Sequence, residues 1–277
     1  MRNDAHQHFW IYNADEYTWI GPDRQPLMQD HLPTDLKPLL SSIGFAGSVA
    51  VQARSTVEET EWLLSLAEQF SLIKGVVGWV DLSSKLLGDQ LERFSQHPRF
   101  VGIRHGLQNL SHIASKPSPT LVRGMDVLGE FDLTFDLLVR PQHLALACEL
   151  VSRYPQQRFV LDHIAKPPIK SGRLSPWDRG IRELAAWPNV SCKLSGMVSE
   201  ADQERWQPED MNPYLDVVLS AFGPERTMIG SDWPVCTAAG NYAQVMNITL
   251  GYIERFSSDE RDGICGGNAQ RIYQIEE

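Results

Sequence analysis

RFVLDHIAK, residues 158–166, is an apolar β run that ends in polar residues, and a stretch with helical periodicity follows it. Working outward in both directions, the same unit recurs. Strands are expected at 3–10 (NDAHQHFW), 46–54 (AGSVAVQAR), 72–82, 99–106, 133–140, 158–166, 189–196 and 226–234. After the second of these, Leu63, Leu66, Ala67 and Phe70 fall on one helical stripe, and Ser55 with Glu58 has the form of a capping box. After the fifth, Pro141 suits a first helical turn, and Leu144, Ala147, Cys148 and Val151 repeat the stripe. Eight strands alternating with helices predict a parallel sheet covered on its outer face. That number favours closure into a (β/α)8 TIM barrel over an open doubly wound sheet.

The chain has 277 residues, a length that one α/β barrel accommodates, so a single domain over 1–277 is expected. Hydrophobic residues make up 42% and charged residues 22%, an ordinary globular balance. The net charge of −10, with no block of Lys or Arg, argues against nucleic acid and anionic lipid as partners. No apolar stretch approaches the ~20 residues of a membrane helix, and the first residues lack a secretory apolar core, so a cytoplasmic protein is expected. The four cysteines stand far apart without CxxC spacing and read as free thiols. Two longer excursions, residues 11–33 and about 107–119, follow strand ends, where barrels carry their chemistry.

His6 and His8 are two apart, which places both on one face of the first strand. By itself the pair reads equally as hydrogen-bonded core histidines. His163 and Asp232 each end an apolar β run, so four imidazole and carboxylate groups gather at one mouth of the barrel. Three histidines and an aspartate suit a divalent ion such as zinc; without metal the same groups could polarise a carbonyl and deprotonate water.

HxH on the first strand, His on the sixth and Asp on the eighth resemble the metal-site pattern of the amidohydrolase superfamily. The strings DAHQHFW, GIRHGLQ, DLLVRPQHL, VLDHIAKP, CKLSGM, IGSDWP and GGNAQRIY resemble its lactonase branch, which acts on fucono-, rhamnono- and galactonolactones and on pyrone dicarboxylate. The resemblance spans nearly the whole chain. Binuclear members of the superfamily carry a bridging lysine or glutamate on strand four and a histidine on strand five. Here Arg104 and His105 stand on strand four and Asp136 on strand five, so the resemblance implies one zinc or none.

Of the other polar residues at strand ends, Arg104, His105 and Lys166 are expected to bind substrate, with Gln52 behind them. Trp10, Trp79 and Trp233 are candidate apolar walls for a sugar ring, although each taken singly reads first as core. Lys193 and Ser195 also reach a strand end, and Asp136 reads as a buried, paired structural carboxylate. The expected chemistry is hydrolysis of a small-molecule sugar-acid lactone: Asp232 takes a proton from water, and His6, His8 and His163, directly or through zinc, polarise the carbonyl. Arg104 or His105 would hold the ring oxygen, the hydroxyls or an acidic substituent. The leaving alkoxide would regain its proton from Asp232 or an imidazole. Rival readings are an amidohydrolase-type decarboxylase and a non-catalytic sugar-acid-binding barrel. A phosphate-binding isomerase is disfavoured, because the loops after strands seven and eight lack Gly-rich turns. The sequence leaves a homo-oligomer open.

Overall fold

Eight parallel strands pair in sequence order: β1 (Asn3–Gln7), β2 (Gly47–Val51), β3 (Ile73–Gly78), β4 (Phe100–Gly106), β5 (Thr134–Leu138), β6 (Phe159–Leu161), β7 (Val190–Leu194) and β8 (Thr227–Ile229). In this computed structural model, residues 1–107 and 116–276 are described. Most of the expected excursion at 107–119 therefore lies outside the described residues. The ring closes where Gln7 bridges Trp233, with His8 N–H donating to Trp233 O at 2.7 Å and Asp232 N–H to His6 O at 2.8 Å. This is the expected (β/α)8 barrel. All eight expected strands are present, each shorter than its expected run; except in β4, which keeps Arg104 and His105 in the ladder, the residues at the C-terminal ends leave the ladder.

The helices of the outer layer include α1 (Pro33–Ser42), α2 (Val57–Gln69), α3 (Leu87–Ser95), α4 (Pro119–Leu128), α5 (Leu144–Arg153) and α6 (Trp177–Ala185). A single turn, α7 (Met197–Glu200), precedes α8 (Asn212–Phe222), α9 (Tyr242–Tyr252), α10 (Ser258–Asp262) and α11 (Asn268–Ile272). The stripe Leu63, Leu66 and Ala67 on α2 is buried as expected. Its cap is not Ser55 with Glu58: Thr56 accepts the Glu59 N–H. Glu59 in turn reaches back, its carboxylate accepting the N–H groups of Ala53 and Arg54. Pro141 opens a 3-10 turn that runs directly into α5.

Inside the ring, Ala5, Val49, Val51, Val77, Val101, Val160 and Met228 form an apolar floor, which Ala269, Ile272, Tyr273 and Ile275 close from the C-terminal end of the chain. The GGNAQRIY string is explained here. A Cβ at Gly266 would lie 2.1 Å from Met1 O, and Asn268 donates to Pro224 O and Thr227 O, both at 2.7 Å, pinning α11 beneath the barrel. Apolar packing thus fills the bottom of the barrel, and the polar residues are left at the top.

Candidate active site

Strand alternation delivers the site from several directions. The β1–β2 register shifts between Asp4 and Gln7. Asp4 Oδ1 accepts the His6 N–H at 3.1 Å and the Ser231 N–H at 2.9 Å, bracing the strand segments that carry His6 and Asp232. Burial raises the Asp4 carboxyl to about 6 against those hydrogen bonds. Past the shift, His6 and His8 project together over the apolar floor. His163 and Asp232 stand just beyond β6 and β8 in left-handed backbone, with φ of 53° and 58°.

His163 begins a run of four left-handed residues, with Ile164, Ala165 and Lys166 at φ 46°, 61° and 50°. Such backbone costs about 1–2 kcal/mol per L-residue and is found where surrounding structure enforces it. Lys166 N–H donates to His163 O at 2.8 Å, and Trp177 Nε1–H donates to Ile164 O at 2.7 Å. Ile164 and Ala165 are wholly buried, while His163 and Lys166 both face the cavity above the barrel.

Four ligand atoms converge. His8 Nε2 lies 3.3 Å, His6 Nε2 3.8 Å and His163 Nε2 3.9 Å from Asp232 Oδ1, and the His6 and His8 Nε2 atoms are 3.2 Å apart. The opposite ring nitrogens are all engaged. His8 Nδ1–H donates to Val51 O at 2.7 Å, and His163 Nδ1 meets Ser195 Oγ at 2.9 Å. His6 Nδ1 lies 3.2 Å from Asp162 Oδ1; with its proton there, Nε2 is a lone pair, as the Arg104 Nη1 approach at 3.4 Å also requires. Burial holds all three histidines below the usual imidazole range, His163 at about 4, so they are neutral at neutral pH. Burial works to raise Asp232, but the imidazoles in their protonated forms, His163 foremost, together with a hydrogen bond with His8, pull it below the usual carboxylate range, so it is already ionised at the pH where the imidazoles lose their protons. Lone pairs facing a carboxylate oxygen across 3.3–3.9 Å repel it unless a cation lies between them. His6, His8 and Asp232 therefore fit a divalent ion, with His163 beside them.

Behind His6 lies a buried ionic relay that sequence reasoning used only in part. Lys193 Nζ donates to Asp136 Oδ2 at 2.6 Å and lies 3.1 Å from both Asp162 Oδ1 and His6 Nδ1. Tyr273 Oη donates to Asp136 Oδ2 at 2.7 Å. Asp136 is thus buried and paired, and burial raises it to about 6 against the pull of Lys193. Burial also opposes ionisation of Asp162, yet Lys193, His6 and Arg104 hold it well below the carboxylate range. Asp162 was overlooked although it immediately precedes His163; its spacing of two from Val160, which lines the apolar floor, was the available signal.

The four centre residues come together as expected. Above them opens a cavity of about 880 Å³ whose wall includes Gln52, Arg104 and Lys166. Arg104 Nη1 reaches Asp162 Oδ2 at 3.2 Å, and Nη2 donates to Gln52 O. His105 and Trp233 are corrections. His105 alternates outward from Arg104, its Nε2 bonding Val80 O at 2.7 Å and its ring stacking on Trp79 and Phe135. Trp233 packs edge-on against Phe9 and His31, and Trp10 is also core. Among the described residues, the tryptophan at the cavity wall is Trp19, from the 11–33 excursion, which also supplies Glu16, Thr18 and Arg24. Arg54 Nη1 pairs with Glu16, and its guanidinium lies over the Tyr17 ring, tying β2 to that excursion.

The amidohydrolase family profile matches residues 3–275. An L-fucono-1,5-lactonase of Burkholderia ambifaria is 39% identical over 100% of this chain and 96% of its own length. An L-fucono-1,5-lactonase of Burkholderia multivorans is 38% identical over 100% and 97%. The crystal structure of a Burkholderia multivorans amidohydrolase with bound zinc, 38% identical and covered completely in both directions, superposes with a TM-score of 0.96. The profile covers nearly the whole chain and the relatives are matched end to end: this chain belongs to the amidohydrolase family.

Proposed function

We propose that the protein is a lactonase that opens the ring of a sugar-acid lactone, an aldonolactone such as L-fucono- or L-rhamnonolactone, by attack of water on the lactone carbonyl. The observation that carries this reading is the convergence of three neutral imidazole Nε2 atoms on one carboxylate oxygen, at the base of a cavity walled by both donors and acceptors. Full-length similarity to two L-fucono-1,5-lactonases supports the choice of substrate.

His6, His8, His163 and Asp232 are the residues that would hold the metal. A zinc ion bound there supplies Lewis acidity to a carbonyl oxygen and to water. Asp232 receives the proton of the attacking water. Asp162, itself paired with Lys193, orients His6, Ser195 orients His163, and the Val51 carbonyl orients His8. Arg104, held by Asp162 and the Gln52 carbonyl, presents a fixed positive charge beside the reacting carbonyl. Gln52, Glu16 and Glu200 offer partners for ring hydroxyls, and Trp19 an apolar face for the ring. The partner is a small molecule. No helix among the described residues is long and apolar enough to cross a membrane.

A pH-indicator assay on a panel of sugar-acid lactones, run on metal-analysed protein before and after chelation and again with zinc restored, tests the reading. Acid release that disappears on chelation and returns with zinc is the expected result. Carbon dioxide release from a carboxylated substrate without acid release from any lactone would replace it with the decarboxylase reading. Tight sugar-acid binding with no turnover would replace it with a binding protein.

A further inference from the structure

The ring oxygen departs as an alkoxide and must be given a proton; of the two sources expected from the sequence, the imidazoles are neutral with their free nitrogens toward Asp232, and Asp232 is occupied with the proton of the attacking water. We propose that Lys166 is that proton donor, a catalytic acid lining the same cavity as Asp232. The inference rests on the lactonase reading and adds a residue role to it.

Three observations converge on Lys166. First, the left-handed run 163–166 places His163 and Lys166 on the same side of one turn, three residues apart, so both line the cavity with Asp232. A strained turn of four non-glycine residues, one of them β-branched, is an unusual device for a side chain with no function. Second, the other cations of the described cavity wall have occupations. Arg104 is bound to Asp162 and the Gln52 carbonyl, Arg54 to Glu16, and Arg140 lies 3.8 Å from Glu200. Arg24 lies at the rim, 3.9 Å from Asp23. Among the described residues, no side chain is within hydrogen-bond or ion-pair distance of Lys166 Nζ, although the carboxylates of Asp232 and Glu200 share its wall. Third, an ammonium can surrender its proton, whereas a guanidinium cannot. The three histidines at the base are neutral, with their free nitrogens turned toward Asp232, and have no proton to give there.

The step balances as follows. The water oxygen bonds to the lactone carbonyl carbon, and one water proton passes to Asp232. The bond between that carbon and the ring oxygen breaks, its electron pair goes to the ring oxygen, and that oxygen takes a proton from the Lys166 ammonium. The proton held by Asp232 then returns to the Lys166 amine through the cavity, restoring both groups, and the new carboxylic acid ionises to solvent. Asp232 alone could recycle its proton, but it is buried among the imidazoles, whereas Lys166 on the same cavity is the more exposed of the two.

The test compares Lys166→Arg and Lys166→Met with wild-type holoenzyme on the best lactone of the panel, after thermal melts and zinc content have established that each variant is folded and loaded. A catalytic acid is worth about 100- to 10,000-fold. Both variants should therefore lose kcat on that scale while KM moves less than about threefold. In Lys166→Ala, added ethylammonium should recover part of kcat, while guanidinium ion at the same concentration should not. A Lys166→Arg variant with near wild-type kcat would show that charge suffices and would overturn the proposal, as would equal rescue by the two cations. A rise in KM at constant kcat in both variants would make Lys166 a binding group and likewise overturn it. Wild-type protein inert on every lactone would remove the lactonase reading itself, an outcome distinct from an active wild type with active Lys166 variants.

Discussion

Asp232 shows how environment decides the role of a common side chain. An exposed aspartate is a weak base and a poor ligand; here three imidazoles approach one of its oxygens within 3.9 Å. Asp232→Asn keeps the shape while removing the charge that binds a cation and accepts a proton. Turnover should fall by a factor of ~1,000 or more with the far-ultraviolet circular dichroism unchanged. Activity within tenfold of wild type would remove Asp232 from the chemistry. His163 and Asp232 were legible in the sequence as polar groups that end apolar runs, and His6 and His8 as a pair spaced two apart on one face of the first strand. Asp162 and Lys193 were harder to read, since their importance lies in meeting His6 from strands far apart in the chain.

At the scale of elements, the turns after the strands set the geometry. Gly196, at φ 66° after β7, lies against the His163 ring, and a Cβ there would come 2.6 Å from His163 Nδ1. Gly196→Ala should push His163 off its contact with Ser195 and lower zinc affinity on the scale of lost ligand-orienting contacts, about 10- to 100-fold. Titration with a competing chelator measures it, and unchanged affinity would show that the turn accommodates the methyl group. At the start of α2, burial raises Glu59 to about 7 from 4.5, opposed by the N–H groups of Arg54 and Ala53. A carboxyl whose folded pKa exceeds its unfolded value takes up protons on folding between the two, so its contribution to stability falls as pH rises from about 4.5 to about 7. The stability of wild type relative to Glu59→Gln should therefore decline across that window by roughly 2–3 kcal/mol. Denaturant melts of both proteins at pH 4.5 and pH 7.5 decide it, and a constant difference would place Glu59 in the ordinary carboxylate range. The sequence suggested a capping box one residue early here; Ser55 and Thr56 are both good caps, and the choice was made by the need of Glu59 to hold Ala53 and Arg54.

For the molecule as a whole, the metal-binding groups come from β1, the turn after β6 and the turn after β8, so a bound ion ties the first strand to the last. Zinc at one hundred times its dissociation constant should stabilise the folded state by about 2.7 kcal/mol. A thermal melt with and without zinc measures this, and no shift at that concentration would mean that the folded state does not bind zinc in preference to the unfolded chain. The architecture was legible because alternation of apolar runs and amphipathic stretches is a local property of the chain, and a parallel sheet of eight such units has few ways to bury its faces. The same periodicity misled at His105 and the tryptophans: neighbouring strand residues face opposite sides, and proximity to a motif does not say which side is the cavity. What the sequence by itself determined is the barrel, the order of its strands and the four polar groups at its mouth, since each depends on residue type and spacing alone. What only the tertiary structure decided is the register shift at Asp4, the left-handed turn at His163, the Asp136–Lys193–Asp162 relay behind His6 and the place of Trp19 on the cavity wall. These depend on contacts between distant segments, whose distances no local pattern records.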